Sequence, residues 1–330
     1  MKYRYLRSHA QTGLGRAAAL LTGENFPVVR AGDLCPENLM STPVVGMDHP
    51  LLSLEECVRR RAIELVKKHK LICVLWSGGL DSTVTLAALL THKTSWNTIL
   101  FSTAELPQKD APPGVYNIFM DMGGQPIRLT PMTVADLIAR GYVFVDGSQA
   151  DIITLSDEWI GIAGLDYETT RQLSAVEMLR LRSGASDIEC AVAMHHLHPL
   201  IELMPAHIPR TGLNIHWWVS FTTLWDYDLY EMPFVFSYPV EKGNCFFATD
   251  DFQRWALQDS ADKMIAGDLN SKARLTQIAN DLLGGRYSFV KNTTLPTTVG
   301  PSQEGMKRLH TTNFAYICED LSYRVWSHGQ

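Results

Sequence analysis

Ser77-Gly78-Gly79-Leu80-Asp81-Ser82-Thr83, directly after the apolar run Leu71-Ile72-Cys73-Val74-Leu75-Trp76, decides how this chain folds. The run has the length and composition of a buried strand, and Val84 to Leu90 after the loop read as a helix. Two adjacent glycines permit a tight turn and let backbone N–H groups approach a ligand closely. The helix aims its positive end and its unpaired N–H groups at the same point. Ser77, Ser82 and Thr83 add hydroxyl donors, and Asp81 is placed to hold a metal ion. A site of this build takes a phosphate, and the pyrophosphate part of a nucleotide suits it. It is not a Walker loop, which needs four residues between its glycines and then Gly-Lys-Ser/Thr. No Gly-x-Gly-x-x-Gly fingerprint follows the strand either. The plain alternative is a serine- and glycine-rich turn with no ligand.

Around this loop, strand and helix patterns alternate. Ser53-Leu54-Glu55-Glu56 is a capping box, which predicts a helix from there to about His69. Strands are expected over 71–76, 98–101, 125–129 and 142–145, with helices over 82–90 and 134–140. That order predicts βαβ units, a parallel sheet with flanking helices, and ligands at the carboxyl ends of the strands. The expected division is an N-terminal extension over 1–50, an α/β core over 51–165, and a mostly helical region over 166–330. Helical spacing recurs over 169–182, 187–203 and 271–283. Between them, Trp217-Trp218-Val219-Ser220-Phe221 and Trp225 read as core or interface packing rather than a ligand cage.

At 330 residues, 46% hydrophobic and 19% charged, the composition is that of a soluble globular enzyme with room for a large core. The net charge of −6 argues against a nucleic-acid partner. The basic cluster Arg59-Arg60-Arg61 with Lys67, Lys68 and Lys70 reads as a solvated helix face. Six scattered cysteines with no Cys-x-x-Cys pair argue against a zinc knuckle or a redox couple, and suit reduced thiols. No secretion signal and no membrane-length apolar run is present, so the expected place is the cytoplasm. His195, His196, His198 and His207 are either a metal cluster or ordinary, partly buried histidines, and the lack of a nearby Cys favours the second. Glu177 and Glu189 are candidate general bases that nothing local singles out.

The heptapeptide resembles, at every position, the SGGxDS signature of the PP-loop ATP pyrophosphatases, the adenine nucleotide alpha-hydrolase-like proteins. That superfamily includes asparagine, GMP and NAD synthetases, argininosuccinate synthetase, tRNA-modifying ligases and deazaguanine synthases. The resemblance implies a HUP or Rossmann-like core that binds ATP with Mg2+ and splits it between the α and β phosphates. It places Ser77, Gly78, Gly79, Leu80, Ser82 and Thr83 around the nucleotide, and Asp81 as a catalytic residue and metal ligand. By the same analogy, Ser102 and Thr103 border the adenine and ribose.

Two further stretches extend the resemblance. Val145-Asp146-Gly147-Ser148-Gln149-Ala150-Asp151 is similar to the GDGADE-like loop of asparagine synthetases, which helps to bind magnesium pyrophosphate. Asp151 falls on the metal-binding aspartate and Gly147 on the nucleotide side, with Asp146 as a second carboxylate. Ser148-Gln149 and Ile152 depart from that pattern, and a strand-to-helix turn capped by Asp accounts for the same residues. Phe246 to Ala256, followed by Lys272 and Lys291, looks like the C-terminal part of stand-alone asparagine-synthetase-like proteins, some of them phage-encoded. There the lysines are expected to neutralise the pyrophosphate leaving group as catalytic residues; the alternative is solvated surface charge.

The implied reaction is adenylation of a carboxylate, amide or carbonyl oxygen on a small-molecule or nucleotide substrate, followed by transfer to ammonia or an amine. No N-terminal cysteine nucleophile is present, so the amine comes from solution or from a donor partner. The absence of cysteine pairs disfavours the deazaguanine synthases and the thiolases. A different class stays open: an ATP- or AMP-binding regulatory or structural protein with reduced catalysis. The acceptor and the oligomeric state carry no sequence signal.

Overall fold

Apolar residues spaced three and four apart alternate with short continuous apolar runs from Leu54 onward, and the chain folds accordingly. The computed structural model describes residues 52–102, 114–154, 169, 172–183, 186–223, 233, 236–258 and 272–287, with backbone alone for Asp151, Arg182, Ser183, Glu189 and Thr223. The expected extension over 1–50, Thr103, Trp225 and Lys291 lie outside the described residues.

Helix α1 (Leu54–Lys68) begins where expected, because Ser53 Oγ accepts the Glu56 N–H at 3.2 Å. The capping box is half made. The Glu56 carboxylate turns to Arg59 and Arg60 at 2.7 and 2.8 Å, and their guanidinium groups hold it down to about 2. Arg59 and Arg60 are the solvated face the composition implied, but Arg61 reaches across to the Cys245 carbonyl at 3.2 Å.

The sheet holds β1 (Leu71–Val74), β2 (Thr98–Ser102), β3 (Gln125–Ile127), β4 (Val143–Asp146) and β5 (Gly243–Cys245). Its order is β3-β2-β1-β4-β5 and every pair is parallel. Between these strands run α2 (Leu80–His92), α3 (Val115–Asp121) and α4 (Pro131–Ala139), and α5 (Ala150–Thr154) follows β4. Successive strand residues face opposite sides. Ile72, Val74, Ile99, Phe101, Val143 and Val145 join one core with α1, α2 and α3; Cys73, Leu75, Leu100 and Phe144 join a second with α4. Both faces are covered, as an all-parallel sheet requires, and each fully buried apolar side chain contributes about 1.5–3 kcal/mol. The chain steps outward from β1 to β2 and β3, then returns to the far side of β1 for β4. The strand order therefore reverses between β1 and β4, and helices change face there as right-handed crossovers demand.

The second half is mainly helical among the described residues: α6 (Ala175–Ser183), α7 (Asp187–Glu202), α8 (Gly212–Thr223), α9 (Asp250–Ala256) and α10 (Ala273–Leu282). It also supplies the edge strand β5, which the sequence did not announce. Gly-Asn-Cys has no β-branched residue and no alternation, so it carries no strand signal; its pairing with β4 makes it one. α6, α7 and α8 pack on one another, α9 on α1 and α5, and α10 along α2. The tryptophan stretch lies on α8 and is buried, as packing predicts. Trp217 Nε1 donates to the Ile152 carbonyl at 2.9 Å and Trp218 Nε1 to that of Leu200 at 2.7 Å. None of the described helices is long and apolar enough to cross a membrane.

Candidate functional site

The Ser77–Thr83 loop leaves the carboxyl end of β1 at the point of reversal. β1 is shorter than the apolar run because Leu75 N–H still pairs with the Val145 carbonyl while Trp76 N–H turns back to that of Val74. Trp76 is 3% exposed, packs edge-on against Phe101 and Phe119, and donates Nε1–H to Thr83 Oγ1 at 3.1 Å. Thr83 is thus turned inward as a structural hydroxyl. Gly78 has φ +88°, a conformation that favours glycine, and Gly79 is the N-cap of α2 with no side-chain capping bond. In place of a cap, two serines serve the loop. Ser82 Oγ accepts the Ser77 N–H at 3.2 Å and Ser77 Oγ accepts the Gly79 N–H at 3.3 Å, with 3.1 Å between the hydroxyls. Leu80 is 3% exposed and its side chain belongs to the core. Ser102 Oγ donates to the Trp76 carbonyl at 3.3 Å and ties the end of β2 to the start of the loop.

The second loop, from β4 to α5, touches the first. A Cβ on Gly147 would stand 3.0 Å from the Asp81 carbonyl carbon and 3.1 Å from both the Asp81 oxygen and Ser82 N. These are backbone atoms and cannot rotate away. Gly147→Ala is therefore expected to cost about 1–3 kcal/mol of stability. It should also push the two loops apart; scanning calorimetry against wild type checks the loss of stability. Asp146 is 5% exposed, and its Oδ1 accepts from Ser148 N at 3.1 Å and from Ser148 Oγ. Burial pushes its carboxyl above the usual range, against the pull of those bonds and of the Cys245 thiol. Asp151 lies in the first turn of α5, and its side chain lies outside the described residues.

A third segment closes the site. Lys272, the N-cap residue of α10, places Nζ 2.7 Å from Asp81 Oδ2, with the side chains 17% and 19% exposed. Two of the sequence-selected residues, 191 positions apart, thus form one ion pair. Tyr287, beyond α10, was not foreseen. It is 4% exposed, burial and the Asp81 charge push its phenol up, and a hydrogen bond with Thr83 opposes that. No pattern in the sequence marks it, since only the packing of α10 on α2 brings it there.

Among the described residues no group of three His, Cys, Asp or Glu converges. Mg2+ needs only one or two carboxylates besides phosphate oxygens, and Asp81 at the loop fits that donor set. His195, His196 and His198 are exposed on α7 rather than partly buried, and His198 sits 3.7 Å from Glu202. His207 Nε2 meets the Leu257 carbonyl at 2.8 Å. Glu177 caps α6: its carboxylate accepts from Ser174 N and Oγ, which holds it below the usual range and makes it a poor base. Glu189 is described by its backbone alone.

Comparison with known proteins gives no match to any family model, curated protein or solved structure. What the chain can do rests on its residues and their arrangement.

Proposed function

We propose that this chain is a PP-loop type ATP pyrophosphatase, with a Rossmann-like core, that adenylates a substrate oxygen and releases pyrophosphate. The observation that carries this reading is the meeting of two loops and one lysine at the β1/β4 reversal: Ser77–Thr83, Asp146–Ser148, and Lys272 on Asp81. In parallel α/β sheets the crevice at such a reversal is where ligands bind. The N-terminus of α2 and the N–H groups of Gly78 and Gly79 suit the phosphates. Ser77 and Ser82 already hold neighbouring N–H groups in the positions that phosphate oxygens would share.

A substrate carboxylate, amide or carbonyl oxygen attacks the α-phosphorus. The bond to the bridging oxygen breaks, and pyrophosphate leaves with the electron pair. Ammonia or an amine then displaces AMP. Asp81 would hold Mg2+, which supplies charge neutralisation for the phosphates when bound. Lys272, 2.7 Å from Asp81, would balance the leaving group with its ammonium once Asp81 releases it. The protein's contribution is position and electrostatics.

Two observations favour a second reading, a nucleotide-binding protein with reduced catalysis. Asp81 is engaged by Lys272, and Asp146 is buried with its carboxyl pushed toward the neutral form. One experiment separates the two: purified protein with ATP, Mg2+ and a panel of acids and amides, with AMP and pyrophosphate measured. Formation of both in equal amounts supports the ligase. ATP binding without turnover on any substrate supports the second reading, and no ATP binding overturns both.

A further inference from the structure

Helix α7 turns Cys190, Ala193, Leu197 and Leu200 into the core that it shares with α6 and α8. Its opposite face meets water, where polar and charged residues are expected. That expectation fails here. Between the end residues Asp187 and Glu202 the helix carries a single charged residue, Glu189. Ile188 is 78% exposed, Val192 53% and Leu203, just past the helix, 48%. With the exposed His195, His196 and Pro199 they share one side of the helix, opposite the buried face. A run of exposed apolar side chains of this kind marks a contact surface.

We propose that this stripe is the centre of a homodimer interface, in which α7 of one copy lies antiparallel to α7 of a second. The spacing carries the proposal. From Ile188 to Leu203 the steps along the stripe are four, three, one, three and four residues, the same from either end. A two-fold interface is one patch meeting itself, so that where residue i faces j, j faces i. With the axis between His195 and His196, Ile188 of one copy faces Leu203 of the other, and Val192 faces Pro199. The charges at the two ends agree with this alignment. Asp187 pairs with Arg180 at the start of α7 and Glu202 with Arg210 at its end, and all four side chains are at least 44% exposed. Antiparallel copies bring the Asp187–Arg180 end against the Glu202–Arg210 end, where each acid gains a second base. Parallel copies would set Asp187 on Asp187 and Glu202 on Glu202. A centre depleted of charge inside a polar rim is the usual build of a protein interface. A segment of the same chain laid on the stripe would need neither the symmetry nor the matching ends. None of these residues belongs to the proposed nucleotide site, so dimerisation and that reading fail separately.

The test is sedimentation equilibrium of the full chain across a hundredfold range of concentration. Wild type should approach twice the 37.0 kDa of one chain. Val192→Lys keeps a good helix former at an exposed position, so the fold should stand. It places two ammonium groups in the interface, one from each copy, and should raise the dissociation constant at least about tenfold. A short bismaleimide locates the axis. It should join His195→Cys chains well above the wild-type background but not Ile188→Cys chains, whose thiols lie at least about 22 Å apart along the helices. Wild type that stays monomeric overturns the proposal, as does a dimer that Val192→Lys leaves intact. A monomer whose melting temperature falls with Val192→Lys also overturns it, and would place a segment of the same chain on the stripe.

Discussion

Asp81→Asn should reduce ATP-dependent pyrophosphate release by at least about 10²–10³-fold, the usual effect of removing one electrostatic element from a phosphate or oxyanion site. Asparagine keeps the shape of the side chain and removes the charge that would hold Mg2+. The same change strips Lys272 of its counter-charge. Because the pair is 17% and 19% exposed, the expected stability cost is about 1–3 kcal/mol, between the values for surface and buried pairs. Alanine would be the worse choice, since it adds a void to the unpaired ammonium. A double-mutant cycle with Lys272→Met separates the two effects. Stability should partly recover in the double variant, whereas pyrophosphate release should stay lost. Undiminished release by a folded Asp81→Asn protein would show that this loop does not handle the reacting phosphates.

The largest stability effect is expected at Trp217. The side chain is 1% exposed, its ring centroid lies 5.1 Å from that of Phe221, and its indole N–H satisfies the Ile152 carbonyl. Trp217→Ala removes the ring and that hydrogen bond together, at a cost of about 3–5 kcal/mol for a large buried aromatic. That approaches the whole stability of many domains, roughly 5–15 kcal/mol. Equilibrium urea unfolding should show the midpoint falling with the slope unchanged. Trp217→Phe should lose less, since most of the apolar area remains. The effect also bears on function, because Ile152 lies in α5, the helix that follows the Asp146–Ser148 loop. A midpoint unchanged by Trp217→Ala would mean that α8 is not part of the cooperative core.

The core could be read from its residues because each signal there was local. Leu71 to Val74 is a continuous apolar run, Gly78 and Gly79 permit the turn, and Ser53 caps α1 through a bond three residues away. Strand ends shifted where a side chain had another task. The strand proper ends at Val74: Leu75 N–H still meets the Val145 carbonyl, but Trp76 turns back and its indole reaches Thr83. β5 was invisible because Gly243-Asn244-Cys245 is a strand only by virtue of β4 beside it. Glu177 stands among the candidate bases with nothing local to single it out, and only the contact with Ser174 shows it serving the start of α6.

The sequence by itself determined the α/β alternation, the glycine loop and its helix, and the burial of the tryptophan stretch, since all three follow from neighbours in the chain. Tertiary structure alone decided that the two loops touch at Gly147, that Lys272 closes on Asp81, and that Asp146 is buried. The physical reason is distance along the chain. Turns, caps and periodicity act over a few residues, whereas an ion pair across 191 positions and the desolvation of a carboxyl exist only once the sheet has brought their elements together.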